Sequence, residues 1–245
     1  MGAAFPKATN QGRLASDMNT AAAIQTDPLD PSAEVISPID LAARLAARLC
    51  HDFISPTSAI VSGLDLIDDP DQQDMREDAM SLIADSARKL AALLSFSRIA
   101  FGGSAAAETF DTRELAKLSQ DLFGHVRATL DWKVEAPTME KAAARTLLNL
   151  AQLGASALPT GGVATLTSAT GEDGRLELLL DAAGPRARLR PEAVDGLNGR
   201  VFGEGMAGHW VQAYFLHAIV AQAGGELELT LDENLVRLRV KLSTV

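Results

Sequence analysis

The residues best suited to chemistry lie in one short segment, in which a histidine is followed by an aspartate. The segment runs from His51 to Pro56 and reads HDFISP. On a helical wheel His51 shares a polar stripe with residues spaced three and four apart, namely Arg44, Arg48, Ser55, Ser58 and Ser62. Imidazole is largely neutral near pH 7 and can act as a nucleophile, and the neighbouring Asp52 carboxylate can orient the ring or take its proton. We therefore predict that His51 faces water and forms a catalytic pair with Asp52.

Two long helices are predicted to position this pair. Near the start of the first, leucines recur every four residues: Leu41, Leu45 and Leu49. This spacing predicts a helix from about residue 39 to 67, bent where Pro56 removes a backbone donor. A turn at residues 68–71 precedes a second apolar stripe, which predicts a second helix to about residue 100. Long helices joined by a short turn pack antiparallel, so we predict a helical hairpin.

An isolated hairpin cannot cover its apolar stripes on both sides. A second copy of the chain would cover them and close a four-helix bundle with self-complementary, two-fold contacts. We therefore predict a homodimer formed through the hairpin. The alternative is that the second domain of the same chain covers this face.

Beyond the hairpin, helical and strand patterns alternate. Helices are predicted at residues 111–125, 139–157 and 209–223, and strands at 128–135, 163–169, 175–181, 226–232 and 235–243. This alternation predicts an α/β sandwich, with helices on one face of a mixed or antiparallel sheet, so the fold class is α+β. A small-residue linker at residues 102–107 separates the parts. The predicted organisation is a flexible tail (1–36), a helical hairpin (37–101) and a sandwich domain (108–245).

Composition excludes several classes of function. The 245 residues carry a net charge of −10, which argues against a general nucleic-acid or anionic-membrane binder. A single cysteine, Cys50, excludes an internal disulfide framework and a cysteine-built zinc site. No segment reaches the roughly 18 apolar residues needed to span a bilayer, and the N-terminus lacks the apolar stretch of a secretory signal. We therefore expect a cytoplasmic protein with no membrane partner.

The segment from His51 to Pro56 resembles a known motif. H-[DE]-x-x-[ST]-P on the first of two antiparallel helices is similar to the phosphoacceptor box of the dimerisation domain of bacterial sensor histidine kinases. His51, Asp52, Ser55 and Pro56 match it. The resemblance implies that His51 accepts a phosphoryl group.

The second domain resembles the ATP-binding domain of those kinases, with its nucleotide residues lost. Residues 145–162 are similar to the family pattern N-L-L-x-N-A-x-x-x-x-P-x-G-G, but its metal-coordinating Asn falls on Leu153, which has no oxygen for Mg²⁺. The family's D-x-G-x-G box begins at Asp181 and lacks the paired glycines. Asp181 itself could still receive an adenine amino group. The resemblance implies a degenerate histidine-kinase ATPase domain that does not use ATP.

A phosphoacceptor hairpin joined to such a domain looks like the ChpT family of histidine phosphotransferases. The resemblance implies a dimeric shuttle in a bacterial phosphorelay. His51 would take a phosphoryl group from the receiver-domain aspartate of a hybrid histidine kinase. It would pass the group to receivers of response regulators that govern transcription and cell-cycle progression. No cofactor of its own is implied, since the receiver can supply Mg²⁺. Two alternatives remain: an active histidine kinase with atypical nucleotide ligands, and a non-phosphorylated dimeric scaffold or inhibitor of a two-component system.

A basic segment is a candidate second contact with the receiver. Residues 184–191 read GPRARLRP, and their alternation predicts an extended segment with Arg186, Arg188 and Arg190 on one face. The flanking prolines disfavour a helix. We expect Arg48, Ser55, Ser58 and Ser62 to seat the receiver and the three arginines to secure it.

Overall fold

The computed structural model describes residues 23–25, 36–102, 108–201 and 207–243. The helices are α1 (Pro38–Asp68), α2 (Arg76–Ala100), α3 (Thr112–Phe123), α4 (Lys141–Ala157), α5 (Pro191–Leu197) and α6 (Ala207–Gln222). The strands are β1 (Ala23–Gln25), β2 (Thr109–Asp111), β3 (Ala128–Lys133), β4 (Thr138–Glu140), β5 (Gly162–Thr170), β6 (Leu176–Ala183), β7 (Glu226–Asp232) and β8 (Leu235–Leu242).

The helices α1 and α2 form the predicted hairpin. Ser37 caps α1, because its side-chain oxygen accepts a hydrogen bond from the Asp40 backbone N–H, and Pro38 occupies the first turn. The helix continues through Pro56. A 3₁₀ segment at Pro70–Met75 forms the turn. The two helices approach closely at Gly63, where a Cβ atom would lie 2.6 Å from Cγ1 of Ile83.

The remainder of the chain forms the predicted sandwich around a six-stranded sheet. The strand order is β1-β7-β8-β6-β5-β3, in which only the β3–β5 pair is parallel, so the sheet is mixed. Along β6, the side chains of Leu178, Leu180 and Ala182 are buried, while their neighbours are partly exposed. Such alternation is typical of a sheet that has one face covered by other elements and the other face in solvent. The helix α4 packs on that face, where Gly154 lies against Leu180. The α+β fold class is confirmed.

Several short elements differ from the sequence prediction. The prediction of a tail without regular structure is wrong for residues 23–25, which form β1 and pair antiparallel with β7. The pair β2–β4 and the helix α5 were not predicted. Elements of three to seven residues are too short to show a hydrophobic period, and tertiary contacts decide whether they form. The rest of the predicted tail up to residue 35, and linker residues 103–107, lie outside the described residues.

The hairpin and the sandwich pack together at two places. At the end of α2, the side chains of Phe96, Ile99 and Ala100 belong to the buried core of the sandwich. The buried Asn149 of α4 donates from Nδ2 to the Ala100 carbonyl oxygen at 3.2 Å. Near the start of α1, Leu45 forms a second cluster with three residues of α6: Trp210, Val211 and Tyr214. The sandwich therefore covers both the beginning and the end of the hairpin.

The middle of the hairpin keeps exposed apolar surface. Large hydrophobic side chains are exposed on α1 at Ile54, Val61 and Leu64, and on α2 at Met80 and Leu94. Ile54, Val61 and Leu64 are spaced by seven and three residues, which places them along one side of α1. The alternative arrangement, in which the second domain covers the apolar face, therefore applies only in part. In the part of the chain that the structure describes, no helix has the length and hydropathy that crossing a membrane requires.

Candidate functional site

His51 lies midway along α1 with its ring in solvent. Its side chain is 87% exposed, as predicted. Nδ1 lies 3.4 Å from Oδ1 of Asp52. An ionised carboxylate only accepts hydrogen bonds, so this contact favours the tautomer that carries the ring proton on Nδ1. The lone pair of Nε2 is then directed to solvent, which is the arrangement that a nucleophilic imidazole needs.

Asp52 is held from its other side by Arg48. Nε of Arg48 donates to Oδ2 of Asp52 at 2.9 Å, across one helical turn. The Arg48 side chain is only 14% exposed, so the predicted exposure of the polar stripe fails at this residue. The stripe also fails at Arg44, whose guanidinium lies over the Trp210 ring, 5.6 Å from its centroid. A helical wheel assumes an isolated helix, whereas α6 packs on this part of α1.

The three serines of the stripe are exposed. Ser55, Ser58 and Ser62 follow His51 along the same helix and have small side chains. Because these side chains are small and polar, they do not obstruct the approach of another protein to the His51 ring. The structure thus places His51, Asp52 and these serines on one accessible part of α1.

His125 and His217 form no comparable site in the described residues. Nδ1 of His217 lies 2.9 Å from the carbonyl oxygen of Leu197, and its ring packs near Tyr214. Burial lowers the pKa of His217, which keeps this ring neutral. The role of His217 is to join α6 to α5. His125 is exposed, and no hydrogen bond to it from another described side chain is seen.

The side chain at the position that the resemblance assigns to a metal ligand is buried. Leu153 is 2% exposed and lies in the core. The cavity beside it, lined by Leu153, Leu189, Ala193 and Gln212 among others, has a volume of about 20 Å³. Such a space is on the scale of one water molecule. Among the described residues, no group of three or more His, Cys, Asp or Glu could hold a metal ion.

Asp181 lies on the opposite face of the sheet. Its carboxylate accepts two hydrogen bonds from Arg237, at 2.6 Å from Nε and 2.8 Å from Nη2. Its neighbours Leu180 and Ala182 are the ones that face the helices. The expectation that Asp181 could receive adenine is therefore wrong, because the side chain points away from α4 and is paired with arginine.

The basic segment, predicted to be extended, begins with a turn at residues 184–187, whereas Arg190 at its other end has an extended backbone. The Ala187 N–H donates to the Gly184 carbonyl oxygen at 3.0 Å, and Arg186 has a φ of +61°. Pro followed by a residue of positive φ is the pattern of a type II turn, and the Gly-Pro dipeptide was its signal. Arg186, Arg188 and Arg190 are nevertheless all exposed. No described carboxylate forms an ion pair with any of them.

Comparisons with known proteins agree with this arrangement. Residues 112–235 match the family model for the histidine phosphotransferase C-terminal domain. The chain is 31% identical to the protein phosphotransferase ChpT of Brucella abortus (strain 2308) over 195 residues, which cover 79% of this chain and 91% of that protein. A solved structure of a bacterial phosphotransferase aligns with a TM-score of 0.75 at 30% identity, covering 84% of this chain and 98% of that one.

Together, the hairpin with its exposed histidine and the sandwich define a histidine phosphotransferase of two-component signalling. Within that class, the chain belongs to the family of ChpT-type histidine phosphotransferases.

Proposed function

We propose that the protein is a phosphohistidine shuttle in a bacterial phosphorelay. His51 takes a phosphoryl group from the receiver aspartate of a hybrid histidine kinase and passes it to the receivers of response regulators, without using ATP. By the family resemblance, we propose regulators of transcription and of the cell cycle as recipients. The observation that carries this proposal is the exposed His51 ring, whose Nδ1 faces Asp52 and whose Nε2 is open to a partner.

The transfer step follows from this geometry. The Nε2 lone pair attacks phosphorus in line with the bond to the receiver aspartate. The phosphorus–oxygen bond breaks, and its electron pair stays on the aspartate carboxylate. Nδ1 keeps its proton, so the phosphorylated ring carries a positive charge beside the Asp52 carboxylate. Transfer to the next receiver reverses these steps.

Three observations favour this step over ATP-dependent phosphorylation. Leu153 occupies the position of a metal ligand and is buried, the adjoining cavity measures about 20 Å³, and Asp181 is paired with Arg237 on the other sheet face. A magnesium ion is needed to neutralise charge during phosphoryl transfer. We propose that the partner receiver supplies it.

Labelling experiments test the proposal directly. The full chain is incubated with radiolabelled ATP and Mg²⁺ alone, and in parallel with receiver domains that already carry labelled phosphoryl groups. We expect label on the chain only in the second case. Label from ATP alone would make the protein a kinase. If no receiver from the same organism labels it, while the same receivers label an authentic phosphotransferase, the protein is a scaffold.

The exposed apolar stripes of the hairpin support a homodimer through a four-helix bundle. We expect light scattering on the full chain to give about 52 kDa, twice the 25.8 kDa of one chain. Val61→Glu combined with Leu64→Glu places charges in the interface, so this variant should be monomeric, because burying unpaired charge is costly. Ser81→Glu, on the exposed surface of α2, is the matched control and should remain dimeric. A dimer that survives the double substitution contradicts this interface.

The exposed arginines and serines are proposed to hold the receiver. Receiver domains gather acidic side chains around their phosphorylated aspartate, and arginines that pair with no described carboxylate complement them. Electrostatic contacts of this kind act mainly on the association rate and weaken with salt. Replacing Arg186, Arg188 and Arg190 by alanine should slow association by about tenfold at low salt and flatten its salt dependence.

A control variant separates local contact from net charge. Replacing Arg76, Arg88 and Arg113 by alanine removes the same charge from other exposed positions. It should leave the association rate within about twofold. Equal effects from the two triple variants would show that only net charge matters.

A further inference from the structure

Arg48 occupies a place that its predicted role as a contact with the receiver does not explain. The side chain is largely removed from solvent, and its Nε hydrogen is committed to Oδ2 of Asp52. A residue that contacts a docked protein needs an accessible head group. Arg48 instead touches the residue that touches the phosphoacceptor.

The contact between Asp52 and His51 needs support from outside the pair. Consecutive residues of a helix point about 100° apart and do not face each other, so sequence adjacency alone does not bring a carboxylate to the imidazole. The Asp52 carboxylate reaches Nδ1 only when one oxygen is turned back toward His51. The separation of 3.4 Å is long for a hydrogen bond, so this contact by itself fixes the carboxylate weakly.

Arg48 supplies that support. It lies one turn before Asp52 and pairs with the oxygen that does not face His51, so each carboxylate oxygen has its own partner. Rotation of the carboxylate away from His51 would break the contact with Arg48. Because the arginine is mostly buried, solvent and salt screen this ion pair less than they would an exposed one.

We propose that Arg48 is a positioning residue of phosphotransfer. It clamps Asp52 so that Oδ1 stays on Nδ1 of His51, which fixes the ring proton on Nδ1 and leaves Nε2 as the nucleophile. This inference rests on the proposed function of His51, and it replaces the predicted role of Arg48 in seating the receiver.

Kinetics separate positioning from docking. Arg48→Met removes the charge and the donor and keeps most of the aliphatic stem. We expect the limiting rate of transfer at saturating phosphorylated receiver to fall about tenfold, since catalytic geometry is sensitive to small displacements. The receiver concentration at half-saturation should stay within about twofold. A raised half-saturation concentration with an unchanged limiting rate would assign Arg48 to docking and overturn the proposal.

A double-variant cycle tests whether Arg48 acts through Asp52. In the Asp52→Asn background, Arg48→Met should cause no further fall in the limiting rate, because the carboxylate it holds is gone. Arg48→Lys keeps the positive charge but lacks the planar guanidinium, so its limiting rate should lie between those of Arg48→Met and the unaltered protein. Arg88→Met, at an exposed arginine on α2, is the matched control and should leave the rate unchanged. Independent, multiplicative effects of Arg48→Met and Asp52→Asn would contradict the mechanism.

A spectroscopic measurement keeps this inference separable from the proposed function. The ¹⁵N chemical shifts of the His51 ring report which nitrogen carries the proton and require no receiver. We expect the Nδ1–H tautomer to predominate in the full-length protein and the Nε2–H tautomer to gain population in Arg48→Met. An unchanged tautomer ratio would overturn the positioning role. Failure of every receiver to label the protein, with the tautomer shift present, would overturn the proposed function alone.

Discussion

His51→Gln is expected to abolish labelling of the protein by a phosphorylated receiver. Glutamine offers no ring nitrogen with a nucleophilic lone pair, so the rate of phosphoryl acceptance should fall by at least about 10³-fold. The fold should be unaffected because the His51 side chain is 87% exposed and packs against little. Quenched-flow labelling followed by autoradiography measures this rate.

A second histidine provides the control for this experiment. His125 is also exposed, but it lies after α3 and has no neighbouring carboxylate contact in the described structure. His125→Gln should accept phosphoryl groups at the rate of the unaltered protein. Label that persists in His51→Gln and disappears in His125→Gln would move the phosphoacceptor to the sandwich.

Trp210→Ala is expected to cause a large loss of stability. Trp210 of α6 is almost fully buried against α1. Its Nε1 donates a hydrogen bond to the Arg200 carbonyl oxygen at 2.7 Å. The Arg44 guanidinium packs over its ring. Truncating a buried tryptophan typically costs about 3–5 kcal/mol. Urea unfolding followed by circular dichroism measures the loss in the free energy of unfolding.

The conservative variant shows which part of the tryptophan matters. Trp210→Phe keeps an aromatic face for Arg44 and most of the packing, and loses the hydrogen bond to Arg200. It should cost about 0.5–1.5 kcal/mol, the net contribution of a typical hydrogen bond. A loss below about 1 kcal/mol in Trp210→Ala would mean that α6 contributes little to holding the hairpin.

The elements with a long hydrophobic period could be predicted from the sequence, and so could the exposure of His51. The leucine spacing predicted α1 to within one residue at each end. The prediction is accurate because the hydrophobic period extends over many residues of the helix. The helical wheel of α1 likewise predicted that His51 faces water. Both predictions depend only on contacts within a helix.

The features that were missed depend on contacts between elements. Arg44 looked like a surface residue because the sequence does not show that Trp210 of α6 packs on this part of α1. Asp181 looked available because its partner Arg237 lies 56 residues later, on a neighbouring strand. The turn at Arg186 is the exception, since Gly184-Pro185 was a local signal for it.

The open setting of His51 has a consequence for how long a signal persists. Enzymes that protect reactive intermediates enclose them and exclude water, whereas the His51 ring stands in solvent on the surface of a helix. Once phosphorylated, the ring would have little shelter from hydrolysis. Under the proposed function, His51 therefore suits rapid passage of a phosphoryl group and not its storage, and the phosphorylated protein would lose that group to water whenever an acceptor is scarce.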